Sequence, residues 1–346
     1  MRYQVLGTSG LFVSEICLGT MTFGQSPGHY AAASGVMQSD ADKIVGKALS
    51  SGINLIDTAN VYANGQAEEI VGQAIKNLGV SRHSVHVATK AEHQTGKGPN
   101  DGGATRYHIM EQIKGSLKRL GTDYIDIYQM HGWDPATPVE ETMSALNDLV
   151  RAGHIRYIGV SNWAAWQLSK ALGVCKNRNF ERIHSLQSYY SLAGRDVERE
   201  IVPMLANENV SMLVFSPLAG GYLTGKYETS NPVGRRTTVP FPPVSEVTGK
   251  QVLAAMRKIA EKHDITMQAL AISWLLNQKV VASVVAGVKT VEQLESNLKA
   301  CDVKLDSDDI ELLDKASKLE LEYPGWMFAN ADAARAEFLK TGKLQA

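Results

Sequence analysis

Short apolar runs that alternate with helical patterns are the feature of this chain that most constrains its fold. Eight such runs occur between residues 15 and 287, and they are rich in β-branched residues. Strands that alternate with helices form parallel sheets with the helices packed outside. We therefore predict an α/β fold, and eight units match the (β/α)8 TIM barrel. The runs are EICLGT (15–20), INLID (53–57), SVHVATK (84–90), YIDIYQMH (124–131), IRYIGVS (155–161), RIHSLQS (182–188), SMLVFS (211–216) and VVASVVAG (280–287).

A doubly wound dinucleotide-binding sheet is the alternative α/β arrangement. That fold carries a GxGxxG fingerprint directly after a strand, and no run in this sequence is followed by one. No linker-like segment divides the chain, and 346 residues suit one large barrel. We therefore predict a single TIM-barrel domain over residues 1–346.

Several segments lie outside a simple eightfold repeat. YQVLGTSGLFVS (3–14) predicts an N-terminal β-hairpin, and KQVLAAMRKIAEKH (250–263) predicts an extra helix before the last strand. Residues 24–38 and 219–248 are long loops expected at the C-terminal face, where insertions commonly carry specificity. NADAARAEFLKTGKL (330–344) predicts an amphipathic helix that flanks the mouth of the barrel or mediates oligomer contacts.

Helix boundaries can be read at two places. Thr105 and Gly121 are placed to begin and end one helix. In TPVEETMSALNDLVRAG, Thr137 predicts an N-cap that forms a capping box with Glu140, and Gly153 predicts a left-handed C-terminal residue.

Bulk properties exclude several classes of function. The net charge of −1 gives no general attraction to nucleic acid or to an anionic membrane. The first residues lack the apolar core of a signal peptide, and no apolar run is long enough to span a bilayer. We therefore expect a cytoplasmic protein in which Cys17, Cys175 and Cys301 are reduced thiols. An oligomer is compatible with the sequence.

Polar residues end three consecutive apolar runs. Asp57 ends the second run with Tyr62 in the loop after it, Lys90 ends the third, and His131 ends the fourth. Active sites of TIM barrels lie at the carboxyl ends of the strands. We therefore expect these four side chains to meet around one barrel mouth.

The four residue types suit proton transfer to a carbonyl oxygen. A tyrosine, with an ordinary pKa of about 10, becomes a better acid beside an ammonium that favours the phenolate. A carboxylate next to that ammonium keeps a buried lysine charged, and an imidazole can hydrogen-bond the substrate oxygen. On the residues alone, a structural Lys–Asp pair and a histidine with a purely structural role remain open.

Two other motifs predict no function of their own. Residues 220–226 spell the GxxxxGK of a P-loop, but Tyr227 replaces its Ser/Thr, and prolines and glycines beyond it oppose the required helix. His83 and His86 form an HxxH without a third ligand at zinc spacing, so we predict no metal.

Together these motifs resemble the aldo-keto reductase family across almost the whole chain. LGTSGLFVSEICLGTMTFG is similar to the family's hairpin and first strand, and GINLIDTANVYANGQAEEIVG to its signature around the catalytic aspartate and tyrosine. VATK, DIYQMHGWD, IRYIGVSNW, FSPLAGGYLTGKY and VAGVKTVEQLESN follow in the family's order. The similarity is greatest to bacterial members. It implies reversible reduction of aldehydes and ketones to alcohols on a barrel that binds NADPH, with NADH the lesser alternative.

The resemblance also assigns catalytic roles. It implies a tetrad of Asp57, Tyr62, Lys90 and His131. Hydride passes from the nicotinamide to the carbonyl carbon while Tyr62 gives the proton, and Tyr62 becomes the base in oxidation. Asp57 and Lys90 tune the tyrosine, and His131 positions the carbonyl.

Cofactor contacts follow from the same resemblance. They place the nicotinamide ribose near strand one, its carboxamide on Ser161, Asn162 and Gln187, and its ring on Phe215. On the residues alone, Ser161 or Asn162 could instead cap a helix, and Phe215 could belong to the core. Lys226 and Arg235 would face the pyrophosphate. The cofactor-binding residues implied are Gly19, Thr20, Met21, Asp57, Ser161, Asn162, Gln187, Phe215, Ser216, Pro217, Leu218, Gly220, Leu223, Gly225, Lys226, Arg235, Gly287, Val288, Lys289, Gln293 and Asn297.

The adenosine end of the cofactor is expected at GVKTVEQLESN. Thr290 and Gln293 predict a helix start, which attracts phosphate, and Lys289 adds a charge for a 2′-phosphate. Many relatives carry arginine at that position, whose bidentate contact is firmer, and glutamate where Ser296 stands. These departures leave the preference for NADPH over NADH open.

The substrate is expected to be a small carbonyl compound or alcohol. Phe23 and Trp133, with Tyr62 and His131, would line its pocket, and Trp163 and Trp326 would extend an aromatic wall suited to apolar aldehydes and ketones. On the residues alone, any one of these tryptophans, Trp163 above all, could instead be structural. Two alternatives stay open. One is a redox-sensing auxiliary subunit that binds NADPH and turns over slowly, and the other is a dehydrogenase that works mainly in the oxidation direction.

Overall fold

The computed structural model describes residues 1–28, 31–229, 231–232 and 234–329. Within them, a two-stranded hairpin, β1 (Tyr3–Val5) and β2 (Phe12–Ser14), precedes a closed barrel of eight strands. Neighbouring barrel strands are parallel, and the last strand pairs with both the first and the seventh. The predicted TIM barrel is confirmed. Its strands are β3 (Ile16–Gly19), β4 (Leu55–Asp57), β5 (His86–Ala91), β6 (Ile125–Met130), β7 (Ile155–Ser161), β8 (Ile183–Tyr189), β9 (Ser211–Phe215) and β10 (Val281–Gly287).

The predicted N-terminal hairpin is present, and it closes the amino end of the barrel. Leu6 and Val13 are fully buried in a cluster with inward-facing residues of the strands, including Leu55. The backbone N–H of Gly7 donates to Ser211 Oγ at 2.8 Å. Because this end is filled with apolar side chains, a ligand site inside the barrel has to lie at the opposite, carboxyl end.

Helices surround the barrel and bury one face against it. The extra helix predicted between the seventh and eighth barrel strands is present as α7, whereas the helix predicted at residues 330–344 lies outside the described residues. Among the described helices, none has the length and apolar character needed to cross a bilayer. The helices are α1 (Gln38–Ser50), α2 (Gln66–Asn77), α3 (Arg106–Leu120), α4 (Val139–Arg151), α5 (Ala165–Arg178), α6 (Ile201–Glu208), α7 (Glu246–His263), α8 (Met267–Leu276), α9 (Val291–Leu298), α10 (Ser307–Ser317) and α11 (Gly325–Ala329).

The predicted helix boundaries are right for α3 and partly wrong for α4. Thr105 Oγ1 accepts the N–H of His108 at 3.2 Å, and Gly121 is left-handed with φ +62°. Gly153 is left-handed too, with φ +78°.

The capping box predicted at the start of α4 is absent. The hydroxyl of Thr137 instead donates to Asp134 Oδ2 at 2.6 Å, and α4 begins only at Val139, after Pro138. Asp134 also accepts the N–H of Ala136 at 2.8 Å, so the carboxylate organises the turn in place of the threonine.

Two long loops lie on the carboxyl side of the strands, as predicted. In the loop between β3 and α1, the carbonyls of Ala32 and Ser34 accept the ammonium of Lys289 at 2.9 and 2.8 Å. In the loop between β9 and α7, Arg236 donates to the carbonyls of Ala219 and Pro242 at 3.0 and 2.6 Å. These contacts fix both loops around the barrel mouth.

Candidate active site

Asp57 is a buried carboxylate at the carboxyl end of β4. Its side chain accepts hydrogen bonds from three groups: Lys90 Nζ on Oδ2 at 2.6 Å, and Gln129 Nε2 and Gln187 Nε2 on Oδ1 at 3.0 and 2.9 Å. Three donors, one of them a cation, compensate for the lost hydration of the buried charge. No motif in the sequence marks Gln129 as a site residue. It stands two residues before His131 and so points to the same side of the chain at the end of β6.

Lys90 links Asp57 to Tyr62. Its side chain is fully buried on β5, and the ammonium donates to Asp57, to the carbonyl of Thr58 at 2.8 Å and to Tyr62 Oη at 3.4 Å. Burial alone would lower the pKa of Lys90, but the charges and hydrogen bonds of Asp57 and Tyr62 outweigh it and raise that pKa above its ordinary value. Lys90 is therefore a permanent cation next to the phenol.

Tyr62 is presented by a tight turn between β4 and α2. Ala63, Asn64 and Gly65 follow it in left-handed conformations, with φ of 48°, 55° and 93°. The ammonium of Lys90 lies 5.0 Å from the centroid of the Tyr62 ring, and the ring of His131 meets it edge-on at 5.8 Å. Such backbone strain persists only where the surroundings hold it, so the turn fixes the phenol against the cation.

A second buried carboxylate ties the helix after Tyr62 to the strand that carries Lys90. Glu68 on α2 is fully buried, and it accepts the hydroxyl of Thr89 at 2.5 Å and Nε of Arg119 at 2.6 Å. Thr89 adjoins Lys90 on β5, so this ion pair sets the position of α2 relative to the lysine. No motif in the sequence marks Glu68 or Arg119 as partners.

His131 follows β6 at the same end of the barrel. The backbone N–H of His131 donates to the carbonyl of Ala91 at 2.8 Å, and its backbone carbonyl accepts a hydrogen bond from Asn162 Nδ2 at 3.0 Å. Burial holds the pKa of His131 well below its ordinary value, and the nearby Lys90 and His93 lower it further. The imidazole is therefore neutral at physiological pH and can donate a hydrogen bond without transferring a proton.

Most residues predicted to contact the nicotinamide lie at strand ends next to the tetrad. Thr20 donates its N–H and its hydroxyl to the carbonyl of Asp57 at 2.9 and 3.0 Å. Asn162, in a left-handed conformation with φ +58°, donates to Ser161 Oγ at 3.1 Å. Gln187 is joined to Asp57. The helix-capping alternative is wrong, because α5 begins only at Ala165 and neither Ser161 nor Asn162 caps it.

Phe215 lies at the end of β9 and is only partly buried. Its ring centroid lies 6.1 Å from that of Tyr189, at an interplanar angle of 40°. Phe215 is therefore not one of the fully buried core residues.

The loop after β9 is folded back on itself. Ser216, Ala219, Gly220, Gly221 and Gly225 all have positive φ, between 48° and 87°. An added Cβ at Gly220 would lie 2.5 Å from the carbonyl oxygen of Phe241. A P-loop leads directly into an α-helix, but the next α-helix here begins only at Glu246, which agrees with the prediction that residues 220–226 are not a P-loop. The left-handed residues curve this loop into what we call the backbone cradle.

Two cations stand near the start of α9. Burial lowers the pKa of Lys289, and the neighbouring charge of Arg235 lowers it further. Thr290 Oγ1 accepts the N–H of Gln293 at 3.3 Å, and Gln293 Oε1 accepts the N–H of Lys289 at 2.8 Å. The predicted helix start is confirmed, and neighbouring cations at a helix N-terminus fit an anionic phosphate.

The aromatic wall differs from the prediction in its members. Phe23 is fully buried in the core, so its side chain offers no surface to a substrate, contrary to the prediction for it. Trp133 is partly buried and meets Trp163 edge-on at 4.8 Å and Trp166 at 5.6 Å. Trp163 is 2% exposed and Trp166 61% exposed. Trp166, which the sequence analysis did not single out, extends the wall outward, whereas Trp326 lies on α11 against Tyr323.

Histidines also meet carboxylates or hydroxyls away from the tetrad. Of the predicted HxxH, His83 contacts Ser81 at 2.8 Å and His86 contacts Asp126 at 3.4 Å. Within the described ranges, His263, Asp306 and Asp309 have spacing compatible with a metal ion. The ammonium of Lys262 donates to both of those carboxylates, at 2.7 and 2.9 Å, and so compensates their charge.

Fold and site together define a TIM-barrel oxidoreductase. The chain belongs to the aldo/keto reductase family, whose model matches residues 15–318. This assignment agrees with the resemblance seen in the sequence motifs.

Proteins similar to this chain differ in what their names say they do. A probable voltage-gated potassium channel subunit beta of Arabidopsis thaliana is 36% identical over 318 residues, which cover 88% of this chain and 92% of that protein. An uncharacterized oxidoreductase of Bacillus subtilis is 35% identical over 90% of this chain and 95% of its own. A versiconal hemiacetal acetate reductase of Aspergillus parasiticus is 31% identical over 94% of this chain and 99% of its own. Of these three names, only that of the Aspergillus parasiticus protein specifies a substrate.

Proposed function

We propose that this protein is an NADPH-dependent reductase of aldehydes and ketones, reversible in the direction of alcohol oxidation. The observation that carries the proposal is the ammonium of Lys90, which is fully buried between Asp57 Oδ2 at 2.6 Å and Tyr62 Oη at 3.4 Å. Burying a cation costs free energy even when the cation is paired, so a charge retained here indicates a use beyond packing. Contact with a phenol at the open end of the barrel supplies that use.

The residues present fit a nicotinamide cofactor with a 2′-phosphate. When bound, the reduced cofactor supplies the two electrons and the hydrogen that the carbonyl carbon gains. Ser161, Asn162 and Phe215 stand where its nicotinamide end would lie, next to the tetrad. Lys289 and Arg235, whose charges repel each other, would hold the phosphate, and an anion there relieves that repulsion.

Tyr62 would give its proton to the carbonyl oxygen. Lys90, 3.4 Å from the phenolic oxygen, stabilises the phenolate that remains, and Asp57 keeps Lys90 protonated. His131, neutral because it is buried, would donate a hydrogen bond to the same carbonyl oxygen and orient it. In the reverse direction the phenolate of Tyr62 accepts the proton of the alcohol.

The aromatic wall supports an apolar or aromatic substrate. Trp133 and the largely exposed Trp166 form an edge-to-face pair beyond His131 in the chain, on the carboxyl side of the barrel. Indole rings bury large apolar area with few rotatable bonds, which suits a planar aldehyde or ketone. We propose aromatic aldehydes as the first class to test.

A screen with the purified full chain tests the proposal. NADPH absorbance is followed with a panel of aromatic and aliphatic aldehydes and ketones, and NADP reduction with the matching alcohols. We expect turnover with at least one aromatic aldehyde, and faster reaction with NADPH than with NADH. A protein that binds NADPH tightly and turns over none of these compounds would contradict the reductase proposal.

A second candidate is a cofactor-binding subunit of a channel, because relatives from Arabidopsis thaliana and Oryza sativa are named probable voltage-gated potassium channel subunits beta. In that role slow turnover and slow release of the cofactor would be expected. Stopped-flow measurement of cofactor exchange, combined with a single-turnover reaction, separates the two candidates. Fast exchange with many turnovers supports the reductase, and slow exchange with a single turnover supports the subunit.

A further inference from the structure

A second imidazole lies against His131 and has no role in the proposed tetrad. The rings of His93 and His131 stack with centroids 4.2 Å apart and planes 26° from parallel. The His93 side chain is 50% exposed, whereas His131 is 9% exposed. His93 therefore covers one face of the buried imidazole from the solvent side.

Few hydrogen bonds hold the ring of His131 itself. Its backbone is anchored by Ala91 and Asn162, but in the described part of the chain its buried Nδ1 has no hydrogen-bond partner. A functional histidine is usually oriented by the bond that its second nitrogen makes. Here the ring is oriented by packing, with the edge contact to Tyr62 on one side and the stack with His93 on the other.

His93 in turn contacts its neighbour Glu92, although without the geometry of a hydrogen bond. Nδ1 of His93 lies 2.7 Å from Glu92 Oε2, and the Glu92 side chain is 16% exposed. Glu92 has φ +130°, and its carbonyl accepts the N–H of Gly103 at 2.7 Å. Its carboxylate lies over the backbone of Gly132, where an added Cβ would come within 2.9 Å of Oε2. The strained backbone and the space above the glycine both place the carboxylate beside His93.

We propose that His93, in contact with Glu92, is a positioning residue that orients the imidazole of His131 toward the substrate carbonyl. The effect on turnover rests on the proposed reductase function, because it assumes that His131 orients a carbonyl. The orientation of the ring itself does not depend on that function.

The groups around His131 also affect its protonation. The groups that face His131 are Lys90 from β5, Tyr62 from the turn after β4, and His93, while His93 faces Glu92. After burial and Lys90, the stacked His93 is the third cause that holds the pKa of His131 below its ordinary value. His131 then stays neutral, as a hydrogen-bond donor to a carbonyl requires, to lower pH than burial and Lys90 alone would allow.

Two substitutions at position 93 separate packing from charge. His93→Phe keeps a flat ring on His131, so kcat should stay near that of the wild type at neutral pH while the acid limb of its pH profile moves to higher pH. His93→Ala removes the stack, and kcat should fall about tenfold while KM changes little, because the carbonyl is misoriented in the transition state. His83→Phe, an exposed histidine before β5 at the other end of the barrel, is the matched control and should change neither value.

A third variant tests the contribution of Glu92. Glu92→Gly removes the carboxylate at a position whose φ of +130° suits glycine, so the chain should fold. We expect kcat to lie between those of the wild type and His93→Ala, and the acid limb to move in the same direction as in His93→Phe.

Nuclear magnetic resonance provides a readout that needs no turnover. The imidazole ¹H–¹⁵N signals of His131 are assigned by comparison with His131→Gln and titrated in the wild type and in both position-93 variants. The proposal requires a changed His131 environment in His93→Ala and a higher titration midpoint in His93→Phe. Unchanged signals and midpoints, or wild-type kcat and pH profile in His93→Ala, would overturn it. A protein without reductase activity but with the shifted signals would contradict the proposed function and leave the positioning of His131 supported.

Discussion

The ammonium of Lys90 and the carboxylate of Asp57, 33 residues apart in the chain, form a 2.6 Å ion pair in which neither side chain is more than 3% exposed. Removing two charges from water costs several kcal/mol, and the pair regains that only through good geometry and further hydrogen bonds. Gln129, Gln187 and the carbonyl of Thr58 supply those bonds. Removing only one of the two charges should therefore destabilise the fold strongly.

A double-mutant cycle measures this coupling. Asp57→Asn leaves Lys90 buried without a counter-ion and should lower the free energy of unfolding by about 3–5 kcal/mol. Lys90→Met leaves Asp57 with its two glutamine donors and should cost less. The double variant, which removes both charges, should cost clearly less than the sum of the two. Urea unfolding of the four proteins provides the values, and strict additivity would show that the two charges do not stabilise each other.

Removing the hydroxyl of Tyr62 tests the proton donor. Tyr62→Phe keeps the ring against Lys90 and His131, so kcat/KM should fall by about 10²–10⁴ while the Kd for NADPH is unchanged. Steady-state kinetics and titration of the cofactor by fluorescence measure the two quantities. Tyr107→Phe, at a 66% exposed phenol on α3, is the matched control and should alter neither. Wild-type turnover in Tyr62→Phe would move the proton-donor role to another group.

The protonation of His131 predicts a pH dependence of stability. Unfolding returns its pKa to about 6.5 from a lowered value, so the unfolded chain binds a proton that the folded chain does not as pH falls below 6.5. The free energy of unfolding should therefore fall with decreasing pH from 6.5 down to the pKa of the folded state, and level off below it. His108 and His184, whose pKa values are also lowered chiefly by burial, act in the same direction.

Comparison with His131→Gln isolates the contribution of this one residue. Between pH 7 and pH 5 the variant should lose stability less steeply than the wild type, by at most about 1.4 kcal/mol per pH unit. Urea unfolding at several pH values gives both slopes. Equal slopes would mean that His131 titrates alike in the folded and unfolded chains.

The sequence predicted the barrel well because the signals involved are local. Each apolar run coincides with a strand to within two residues at either end, since buried parallel strands require continuous apolar segments. The strand-end residues of the tetrad were found for the same reason: a charge such as Lys90 that ends an apolar run stands out. The left-handed Gly121 and Gly153 were equally readable.

What the sequence did not reveal depends on which partner each side chain meets. Glu68 sits among ordinary helix residues, and only the fold brings Arg119 and Thr89 to it. His93 lies in a loop, so no periodicity marked it. The wrong capping box at Thr137 had a local cause, because Asp134, three residues earlier, offers a stronger acceptor for the hydroxyl in an Asx-type turn. Phe23 was expected in the pocket because it follows the first barrel strand, but its side chain is fully buried in the core.

Lys289 is expected to set the preference for NADPH over NADH. Its ammonium already donates to the carbonyls of Ala32 and Ser34, and Arg235 lies close enough to lower its pKa. Lys289→Gln removes one charge facing the proposed 2′-phosphate, so the Kd for NADPH should rise about tenfold while that for NADH stays within about twofold. Parallel titrations with the two cofactors test this. Equal weakening of both would show that Lys289 acts by holding the loop between β3 and α1 and not by binding phosphate.

A pair of glycine substitutions tests the backbone cradle after β9. Gly220 and Gly79 are both left-handed, with φ of 67° and 63°, so alanine carries a conformational cost of about 1–2 kcal/mol at either position. At Gly220 the new Cβ would also lie 2.5 Å from the carbonyl oxygen of Phe241, whereas at Gly79 it meets nothing within 4 Å. The loop therefore has to move in Gly220→Ala only. We expect Gly220→Ala to raise the Kd for NADPH and to lose more stability than Gly79→Ala, whose Kd should match the wild type. Unchanged affinity in Gly220→Ala would mean that the cofactor does not depend on the shape of this loop.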